Sequence, residues 1–441
     1  MRKLATILVA VIAIGLITCK EDQSGQASEA SQQRYVVFIK PANIAPFVSD
    51  TSFYFTNSKD QQASLRLTKK KDVKAIINDH HLAVDDSKIF VDVVVAFVTT
   101  MDSVKADSVR SDVRIQSVGL DVDIEGKPIQ QGTPIILGKP IQQDQDGEEQ
   151  DWGLKKIAGC WTSCAVKKAH GGVDGSGRPA VIWVVDTGIE AGPPTVGNPY
   201  LNIKTEWGVN FTGTTLSNNT DDDNGHGTMV AGVAAAKMIT WDSSNKICAG
   251  VSPGAWVVPM KVLNANGSGQ WSWIINALDH IIIQGRSKDV INLSLGDFPI
   301  ANCTTEIVGL ETTLKNAASV HFVVMASGNN LDNAARSLPG CIEGDNLFTV
   351  AAVSCGKQCA VYSNYGDPVD WAAVGTDVFT THLYNPASGW QFVVSSGTSL
   401  SSAVISGVIH SSGEKPKPAG SVHCSVLGST TPARAYFLGR R

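Results

Sequence analysis

The sequence predicts an α/β protein with a doubly wound parallel sheet, preceded by a small α+β unit. After residue 180, short apolar runs alternate with segments of helical length, a pattern typical of a parallel sheet covered by helices on both faces. Before that alternation, residues 34–125 have strand and helix patterns of their own. The 441 residues, of which 43% are hydrophobic and 17% charged, are enough for two or three globular domains.

Residues 1–19 have the pattern of an export signal. Two basic residues precede fifteen mostly apolar residues that end at Thr18, a stretch too short for a membrane-spanning helix. Leu16-Ile17-Thr18-Cys19 also resembles a bacterial lipoprotein box, although Thr18 stands where Gly, Ala or Ser is usual. We therefore expect a secreted protein, associated with a membrane only if Cys19 carries a lipid.

The α+β unit is predicted to be a small sandwich of four strands and two helices. Strand patterns cover Tyr35–Ile39, Ile89–Thr99 and Ile115–Ile124, and helical patterns cover Asp60–Asn78 and Asp102–Asp112. Residues 126–150 are rich in Gln, Gly, Asp and Pro and lack periodicity, which predicts an exposed linker that is easily cleaved. A second domain should follow at residues 151–441.

This second domain is predicted to build its sheet from five apolar runs. The runs are Val181–Val185, Ala255–Leu263, Val290–Leu295, Val320–Ala326 and Leu347–Val353. The covering helices are Gly227–Lys237, Trp271–Gln284, Thr305–Ala318 and a small-residue helix at Ser399. Because ligands of such sheets bind at the carboxyl ends of the strands, we expect the functional site there.

Three glycine-flanked motifs place a carboxylate, an imidazole and a hydroxyl at the ends of these elements. Asp186 ends a strand, His226 opens a helix and Ser399 lies at a helix start. Each has a structural alternative when taken alone: a turn residue for Asp186, a core histidine for His226, and an N-cap at Thr398 or Ser399. A helix start offers unpaired N–H groups to a developing oxyanion, so together the three residues predict a serine nucleophile with its base.

The three motifs, Asp186-Thr187-Gly188, His226-Gly227-Thr228 and Gly397-Thr398-Ser399, resemble those of the subtilisin-like serine peptidases, family S8. The spacings, 226 − 186 = 40 and 399 − 226 = 173 residues, are similar to those of the proteinase K-like branch. The resemblance implies a subtilisin-like fold in which Asp186 orients His226. His226 would act as general base and then acid, and Ser399 would attack the scissile carbonyl.

Other family roles follow from the same resemblance. Val323–Asn329 is similar to the strand that leads to the family's oxyanion asparagine, which implies this role for Asn329, with an ordinary turn as the alternative. Backbone binding of an extended substrate is implied for two segments: Ser294, Leu295 and Gly296, and Ala326, Ser327 and Gly328. Asp297 replaces the family's usual second glycine, which leaves the preference of the substrate pocket open.

The N-terminal α+β unit resembles the inhibitor prodomain of this family, which is I9-type and ferredoxin-like. The similarity lies in the opening Tyr35-Val36-Val37 and the closing Val113–Val118. It implies a zymogen in which the prodomain is an intramolecular inhibitor. An unrelated appended domain is the alternative.

No cofactor is expected for the chemistry, and the sequence offers few metal ligands. A structural calcium ion is one interpretation of Asp221-Asp222-Asp223, but a solvated acidic loop is the preferred one, and Ser354 stands where the branch has a calcium-binding aspartate. Of nine cysteines, eight remain after Cys19, which predicts disulfides of open connectivity. The Cys160/Cys164 and Cys355/Cys359 spacings suit zinc, but no histidine pair matches them.

The expected function is that of a secreted, monomeric serine endopeptidase that acts on proteins or peptides. A net charge of −5 argues against nucleic acid as a partner. Ala403 replaces the proline usual in the nucleophile helix, and 441 − 399 = 42 residues follow Ser399, so a peptide-binding pseudoenzyme is the alternative. Cys19 alone suggests a third hypothesis, an anchored adhesion or scaffold lipoprotein. A fluorophosphonate probe distinguishes the three, because only an activated serine reacts.

Overall fold

The structure is a computed structural model, and it describes the chain from residue 31 onward with gaps. The described residues are 31–40, 43–44, 59–91, 95–125, 130–131, 135–136, 180–213, 216–240, 246–248, 250–301, 303, 307, 309–354, 356–422 and 433–435. Those from Gln32 onward belong to one compact unit. The predicted export signal, most of the predicted linker, and Cys160, Cys164, Cys355 and Cys424 lie outside the described residues.

The N-terminal unit, residues 33–120, is an antiparallel sheet with two helices. Its elements are β1 (Gln33–Ile39), α1 (Lys59–Asp79), β2 (Ile89–Phe90), β3 (Ala96–Met101), α2 (Ser103–Arg110) and β4 (Ile115–Leu120). The strand order is β2, β3, β1, β4. Helix α2 begins where the carboxylate of Asp102 accepts a hydrogen bond from the backbone N–H of Lys105, at 2.7 Å.

The central sheet of the larger domain is mostly parallel and matches the predicted α/β fold. Its strands are β8 (Val181–Asp186), β9 (Asn202–Ile203), β10 (Val209–Asn210), β13 (Trp256–Lys261), β15 (Val290–Leu293), β16 (Phe322–Ala326), β17 (Leu347–Val353), β18 (Trp371–Val374), β21 (Gly420–Val422) and β22 (Ala433–Ala435). The order is β10, β13, β8, β15, β16, β17, β18, β22, β21, with β9 also paired to β13. From β13 to β18 every pairing is parallel.

Among the described residues, four helices cover this sheet: α3 (His226–Ala235), α4 (Trp271–Gln284), α5 (Leu310–Ala318) and α6 (Thr398–Ser412). Strand β8 is buried on both sides. Its residues Val181, Trp183 and Val185 pack in the core that contains α4 and α5, whereas Ile182 and Val184 pack in the core that contains α3 and α6. This alternation explains why the strand is apolar throughout, and it confirms a sheet with helices on both faces.

The remaining strands form small sheets around this centre. They are β5 (Asp123–Glu125), β6 (Gln130–Gln131), β7 (Ile135–Ile136), β11 (Met238–Thr240), β12 (Lys246–Cys248), β14 (Ser268–Gln270), β19 (Val378–Asn385) and β20 (Gly389–Ser396). Strands β19 and β20 form a hairpin that leads into α6. Strand β5 pairs antiparallel with β14, and both β6 and β7 pair antiparallel with β20.

The N-terminal unit packs against helices α4 and α5. Val36 and Phe38 of β1 belong to the same core as α4, whereas Val37 on the opposite face packs with the unit's own helices. Asp121, which follows β4, accepts hydrogen bonds from the backbone N–H and the hydroxyl of Ser272, at 2.9 and 2.7 Å. Since the N-cap residue of α4 has no side-chain hydrogen bond of its own, Asp121 stabilises the start of that helix.

Several predicted elements have different limits. The predicted strand Ile89–Thr99 is a hairpin of β2 and β3, in which Ile89 pairs with Phe97. Both strands are buried, so an unbroken apolar run gave no sign of the reversal. The predicted strand Ile115–Ile124 is likewise divided, because β4 pairs with β1 and β5 pairs with the larger domain. The predicted linker contains β6 and β7, which its polar composition did not indicate.

Candidate functional site

Asp186 and His226 are directly hydrogen-bonded. Asp186 is the last residue of β8, and His226 is the first residue of α3. The Nδ1 atom of His226 lies 2.7 Å from Oδ1 of Asp186, and neither residue is exposed. The same Oδ1 accepts the backbone N–H of Thr187 at 2.7 Å. The pairing fixes the imidazole at the carboxyl end of the sheet, where the sequence predicted the site.

The pKa of His226 lies above its ordinary value. Burial disfavours the charged imidazolium, but the negative charge and the hydrogen bond of Asp186, with a contribution from Asp222, outweigh burial and raise the pKa. Because a carboxylate only accepts, the Nδ1–H donates to Asp186 and the basic nitrogen of the neutral ring is Nε2. This atom is buried and has no hydrogen-bond partner within the described part of the chain.

Glycines allow the two elements to approach each other. Gly225, the N-cap of α3, has φ of +104°, and a Cβ there would lie 2.6 Å from Nε2 of His382. A Cβ on Gly227 would lie 2.1 Å from the carbonyl oxygen of Gly188. A side chain at position 227 would push the start of α3 away from the turn that follows Asp186, and one at position 225 would displace His382 and strain the backbone.

Ser399 lies in the first turn of α6, as predicted. Its Oγ donates to the carbonyl oxygen of Ser294 at 3.2 Å, and the residue is 3% exposed. The N-cap of α6 is Gly397, so the alternative of Thr398 or Ser399 as N-cap is wrong. Although both residues are described, the structure has no hydrogen bond between Ser399 and His226.

A polar network that the sequence did not indicate holds the start of α6 to β15. The Oγ of Ser294 donates to the carbonyl oxygen of Ser399 at 2.9 Å and accepts the side-chain N–H of Asn292 at 2.7 Å. Ser406 donates to Oδ1 of Asn292 at 2.8 Å, and Ser402 lies 2.9 Å from Oγ of Ser294. The only indication of this network in the sequence was the number of serines in α6, and serine is also common as a small residue in packed helices.

Asn329 is oriented by the start of α6. Its Oδ1 accepts two hydrogen bonds from Thr398, one from the backbone N–H at 2.9 Å and one from Oγ1 at 2.8 Å. The amide nitrogen must then point away from Thr398, and among the described residues it has no recorded acceptor. Asn329 therefore offers a fixed N–H donor beside the helix that bears Ser399.

The residues predicted to bind substrate lie at the carboxyl ends of two paired parallel strands. Ser294, Leu295 and Gly296 follow β15, and Ala326, Ser327 and Gly328 end or follow β16. Behind the first segment, Asp297 and Leu338 exchange two backbone hydrogen bonds at 3.0 and 3.1 Å. The residue that follows the first segment is therefore paired within the domain.

A disulfide fixes the chain behind these segments. Cys303 and Cys341 form a disulfide bond, and their positions are 38 apart in the sequence. Cys341 lies three residues after Leu338. The disulfide therefore connects the segment that follows Asp297 with the segment whose Leu338 pairs with Asp297. The disulfide prediction is confirmed here, although the sequence could not specify the pairing.

Within the described part of the chain, no three His, Cys, Asp or Glu side chains are grouped so that they could hold a metal ion. Of the acidic run at 221–223, Asp221 and Asp223 are exposed and Asp222 is buried. No helix in the described part of the chain is long and apolar enough to cross a membrane.

The chain is similar in sequence to known proteins of one family. The sequence pattern of the subtilase family (peptidase S8) matches residues 177–414. The chain is 32% identical over 292 residues to an intracellular serine protease of Paenibacillus polymyxa, covering 62% of this chain and 76% of that protein. It is 31% identical over 272 residues to the subtilisin-like serine protease Pen ch 13 of Penicillium rubens, covering 58% of this chain and 57% of that protein. It is 32% identical over 235 residues to thermitase of Thermoactinomyces vulgaris, covering 53% of this chain and 74% of that protein.

Proposed function

Since this chain belongs to the subtilase family of serine-type endopeptidases, we propose that it hydrolyses peptide bonds with Ser399 as nucleophile, His226 as base and Asp186 as orienting carboxylate. The observation that supports this most directly is the buried hydrogen bond of 2.7 Å between His226 and Asp186. It holds the ring in the tautomer whose Nε2 can accept a proton. A neutral imidazole in this tautomer is the base that a serine hydroxyl needs.

Ser399 must turn its hydroxyl to react. In the present structure the hydroxyl donates to Ser294, and Nε2 of His226 has no partner among the described residues. Rotation of the Ser399 side chain would let its hydroxyl donate to Nε2 of His226 instead of to the carbonyl oxygen of Ser294. Catalytic hydrogen bonds are often formed only when substrate is bound, so the resting geometry is compatible with the proposal. His226 then takes the proton during attack and returns it to the leaving amine.

The oxyanion of the tetrahedral intermediate would be stabilised by Asn329 and the start of α6. Thr398 holds the amide oxygen of Asn329, so the NH2 group is fixed before substrate arrives. The first turn of α6 adds the backbone N–H of Ser399 and the positive end of the helix dipole, whereas the N–H groups of Thr398 and Leu400 already donate to Asn329 and Gly397. A donor that is already in place needs no reorganisation during the reaction, which is why such groups lower the barrier.

Protein or peptide substrates would bind in extended form along the segments 294–296 and 326–328. Their backbone groups lie at the ends of β15 and β16, beside Ser399. Pairing through the main chain gives affinity without dependence on sequence, while side-chain pockets give preference. Asp297 at the end of the first segment is the residue we expect to modify that preference.

We propose that the chain is made as a zymogen whose N-terminal unit is the inhibitor prodomain. Ser399 is 3% exposed and His226 is not exposed, so a substrate cannot reach them in this form. The chain that follows the N-terminal unit pairs with β14 through β5 and then with β20 through β6 and β7. Strand β20 leads directly to Ser399, so the chain that follows the N-terminal unit pairs with the strand beside the proposed nucleophile.

Export is proposed from residues 1–19 alone, with lipid attachment at Cys19 as the variant that would retain the protein at a membrane. We further propose that the enzyme is a monomer and needs no cofactor for its chemistry. A structural calcium ion is an open alternative.

The decisive experiment is labelling with a fluorophosphonate probe. Processed wild-type protein should be labelled and should cleave a peptide substrate, whereas Ser399→Ala should do neither while it keeps its fold by circular dichroism. His226→Ala should lose as much turnover, because the members of such a set act as a unit. An unlabelled wild-type protein that still binds peptides would identify the pseudoenzyme alternative. An unlabelled protein that binds no peptide would leave the adhesion or scaffold alternative.

A further inference from the structure

Asp222 is the middle residue of the acidic run, and its environment differs from that of its neighbours. The interpretation of the run as a solvated loop holds for Asp221 and Asp223 but is wrong for Asp222, which is 5% exposed. Its carboxylate accepts five hydrogen bonds. The donors to Oδ1 are Thr187 Oγ1 (2.8 Å), Asn224 N (3.0 Å) and Gly225 N (2.8 Å), and the donors to Oδ2 are Thr228 N (2.9 Å) and Thr228 Oγ1 (2.6 Å).

These donors come from the two elements that bear Asp186 and His226. Thr187 follows Asp186, and Thr228 lies in the first turn of the helix that His226 opens. The hydroxyl of Thr187 donates to Asp222 and accepts the backbone N–H of Gly227 at 2.8 Å. The carboxylate thus connects the end of β8 with the start of α3 through a closed set of hydrogen bonds. A displacement of either element would break several of these bonds at once.

We propose that Asp222 is a positioning residue, which fixes His226 against Asp186 and whose negative charge favours the imidazolium formed during catalysis. The inference rests on the proposed function of the same site. It assigns Asp222 no contact with substrate.

The hydrogen-bond donors to Asp222 are all neutral, so none of these five contacts is an ion pair. Asp223 differs, because Nζ of the buried Lys261 of β13 lies 2.6 Å from it and 2.5 Å from the carbonyl oxygen of Thr187. The other titratable groups nearby are Glu190, whose pKa is raised by burial and by Asp221 and Asp222, and His382 of β19, whose pKa is lowered by burial.

Asp222→Asn tests the proposal, with Asp221→Asn as its matched control. Both variants remove one negative charge at adjacent positions, but only the first places an amide NH2 against backbone N–H donors. We expect kcat per titrated active site to fall about tenfold to a hundredfold in Asp222→Asn, the loss typical of a small misplacement of a catalytic group. KM should stay within about twofold, and the acid limb of the kcat profile should move to lower pH. Asp221→Asn should match wild type.

A second pair covers the case in which Asp222→Asn does not fold. Thr187→Val removes the hydroxyl that connects Asp222 with Gly227, and Thr187→Ser keeps it, so only the first should lose kcat. The proposal is overturned if Asp222→Asn and Asp221→Asn share one kcat and one pH profile, or if Thr187→Val equals Thr187→Ser. Failure of the proposed function is distinct, because wild-type protein itself would then show neither turnover nor probe labelling.

Discussion

At the scale of single residues, the proposed chemistry depends on how Asp186 changes the basicity of His226. Burial alone would keep the imidazole neutral, but the adjacent carboxylate reverses this and raises the pKa above 6.5. Folding therefore favours the protonated ring. The stability gained from it is fully present below the pKa of the unfolded chain and is lost as the pH rises through the folded pKa.

The first prediction concerns the pH dependence of turnover. The base must be neutral to act, so kcat should decrease as the pH falls through the raised pKa of His226, with a midpoint above 6.5. Asp186→Asn removes the carboxylate's charge, so the remaining activity should be about ten-thousandfold lower and its acid limb should move to lower pH. Steady-state kinetics from pH 5 to 9 checks both, and an acid midpoint that Asp186→Asn does not change would contradict this account.

The second prediction concerns Asn329. Its fixed amide donor should act on the transition state, so Asn329→Ala should lower kcat about a hundredfold to a thousandfold with little change in KM. The exposed neighbour Asn330 provides the control, since Asn330→Ala alters the same turn without removing the donor. An increase in KM alone would assign Asn329 to substrate positioning instead.

The sequence predicted those residues whose roles depend on local motifs, and it missed those whose roles depend on distant contacts. Asp186, His226 and Ser399 stand at element ends, and apolar runs and glycines mark such ends. Ser294 donates a hydrogen bond to Ser399, which is 105 residues away in the sequence, and Asp222 accepts one from the hydroxyl of Thr187, which is 35 residues away. Neither pairing has a local pattern, because a buried polar side chain and an exposed one look alike in sequence.

At the scale of elements, the apolar runs predicted strands well, but they did not predict partners or reversals. Strands β8 and β17 and helix α4 were predicted within one residue of their observed limits. The β2–β3 hairpin was missed because both of its strands are buried and apolar. Strands β6 and β7 were missed because each has only two residues, which is too short to show a periodic pattern, and because their backbone pairing with β20 has no sequence signature.

The third prediction tests the contact between the N-terminal unit and α4. The carboxylate of Asp121 caps this helix and also accepts a hydrogen bond from Nε of Arg34 at 2.7 Å, so Asp121→Ala in the uncut Ser399→Ala protein should lower the free energy of unfolding by about 2–4 kcal/mol. Asp123→Ala is the matched control. The side chain of Asp123 is 80% exposed and its oxygen lies 3.5 Å from Arg34, so its loss should change stability by less than about 0.5 kcal/mol. Urea unfolding measures both, and equal losses would show that the cap contributes nothing specific.

At the scale of the whole molecule, the N-terminal unit is packed as part of the larger domain's core. Phe38 lies against Gly309 at the start of α5, and Asp121 caps α4. The central sheet joins strands distant in sequence, such as β8 and β15, so loop-closure entropy opposes its formation before contacts compensate. A preformed surface that binds two of its helices should accelerate that step.

The fourth prediction follows from this arrangement. Residues 150–441 should refold to active enzyme much faster and in higher yield when residues 34–125 are supplied separately, and the same fragment should then inhibit the enzyme when titrated back. Recovered peptidase activity, normalised to protein, is the measurement. Equal recovery with and without the fragment, and no inhibition at micromolar concentration, would show that the N-terminal unit is an unrelated domain.

The fifth prediction concerns the position of the proposed maturation cut. Strand β5 pairs with β14, whereas β6 pairs with the strand that leads to Ser399, so the bond cleaved by the enzyme itself should lie between Glu125 and Gln130. Mass spectrometry of the purified wild-type protein should find the new terminus there, and the Ser399→Ala protein should stay uncut. A terminus that appears in both proteins would indicate cleavage by another peptidase.

The pairing of β5 with β14 has a consequence for the timing of activity. In the proposed zymogen, the intact chain would hold β5 at its partner strand β14 with an effective concentration of about millimolar, so an external peptide at ordinary levels would not displace it. Cleavage of one bond removes the tether, and occupancy then depends on the concentration of the released fragment. Latency would persist in a concentrated compartment and end upon dilution, so the moment of release into a large volume would itself start proteolysis.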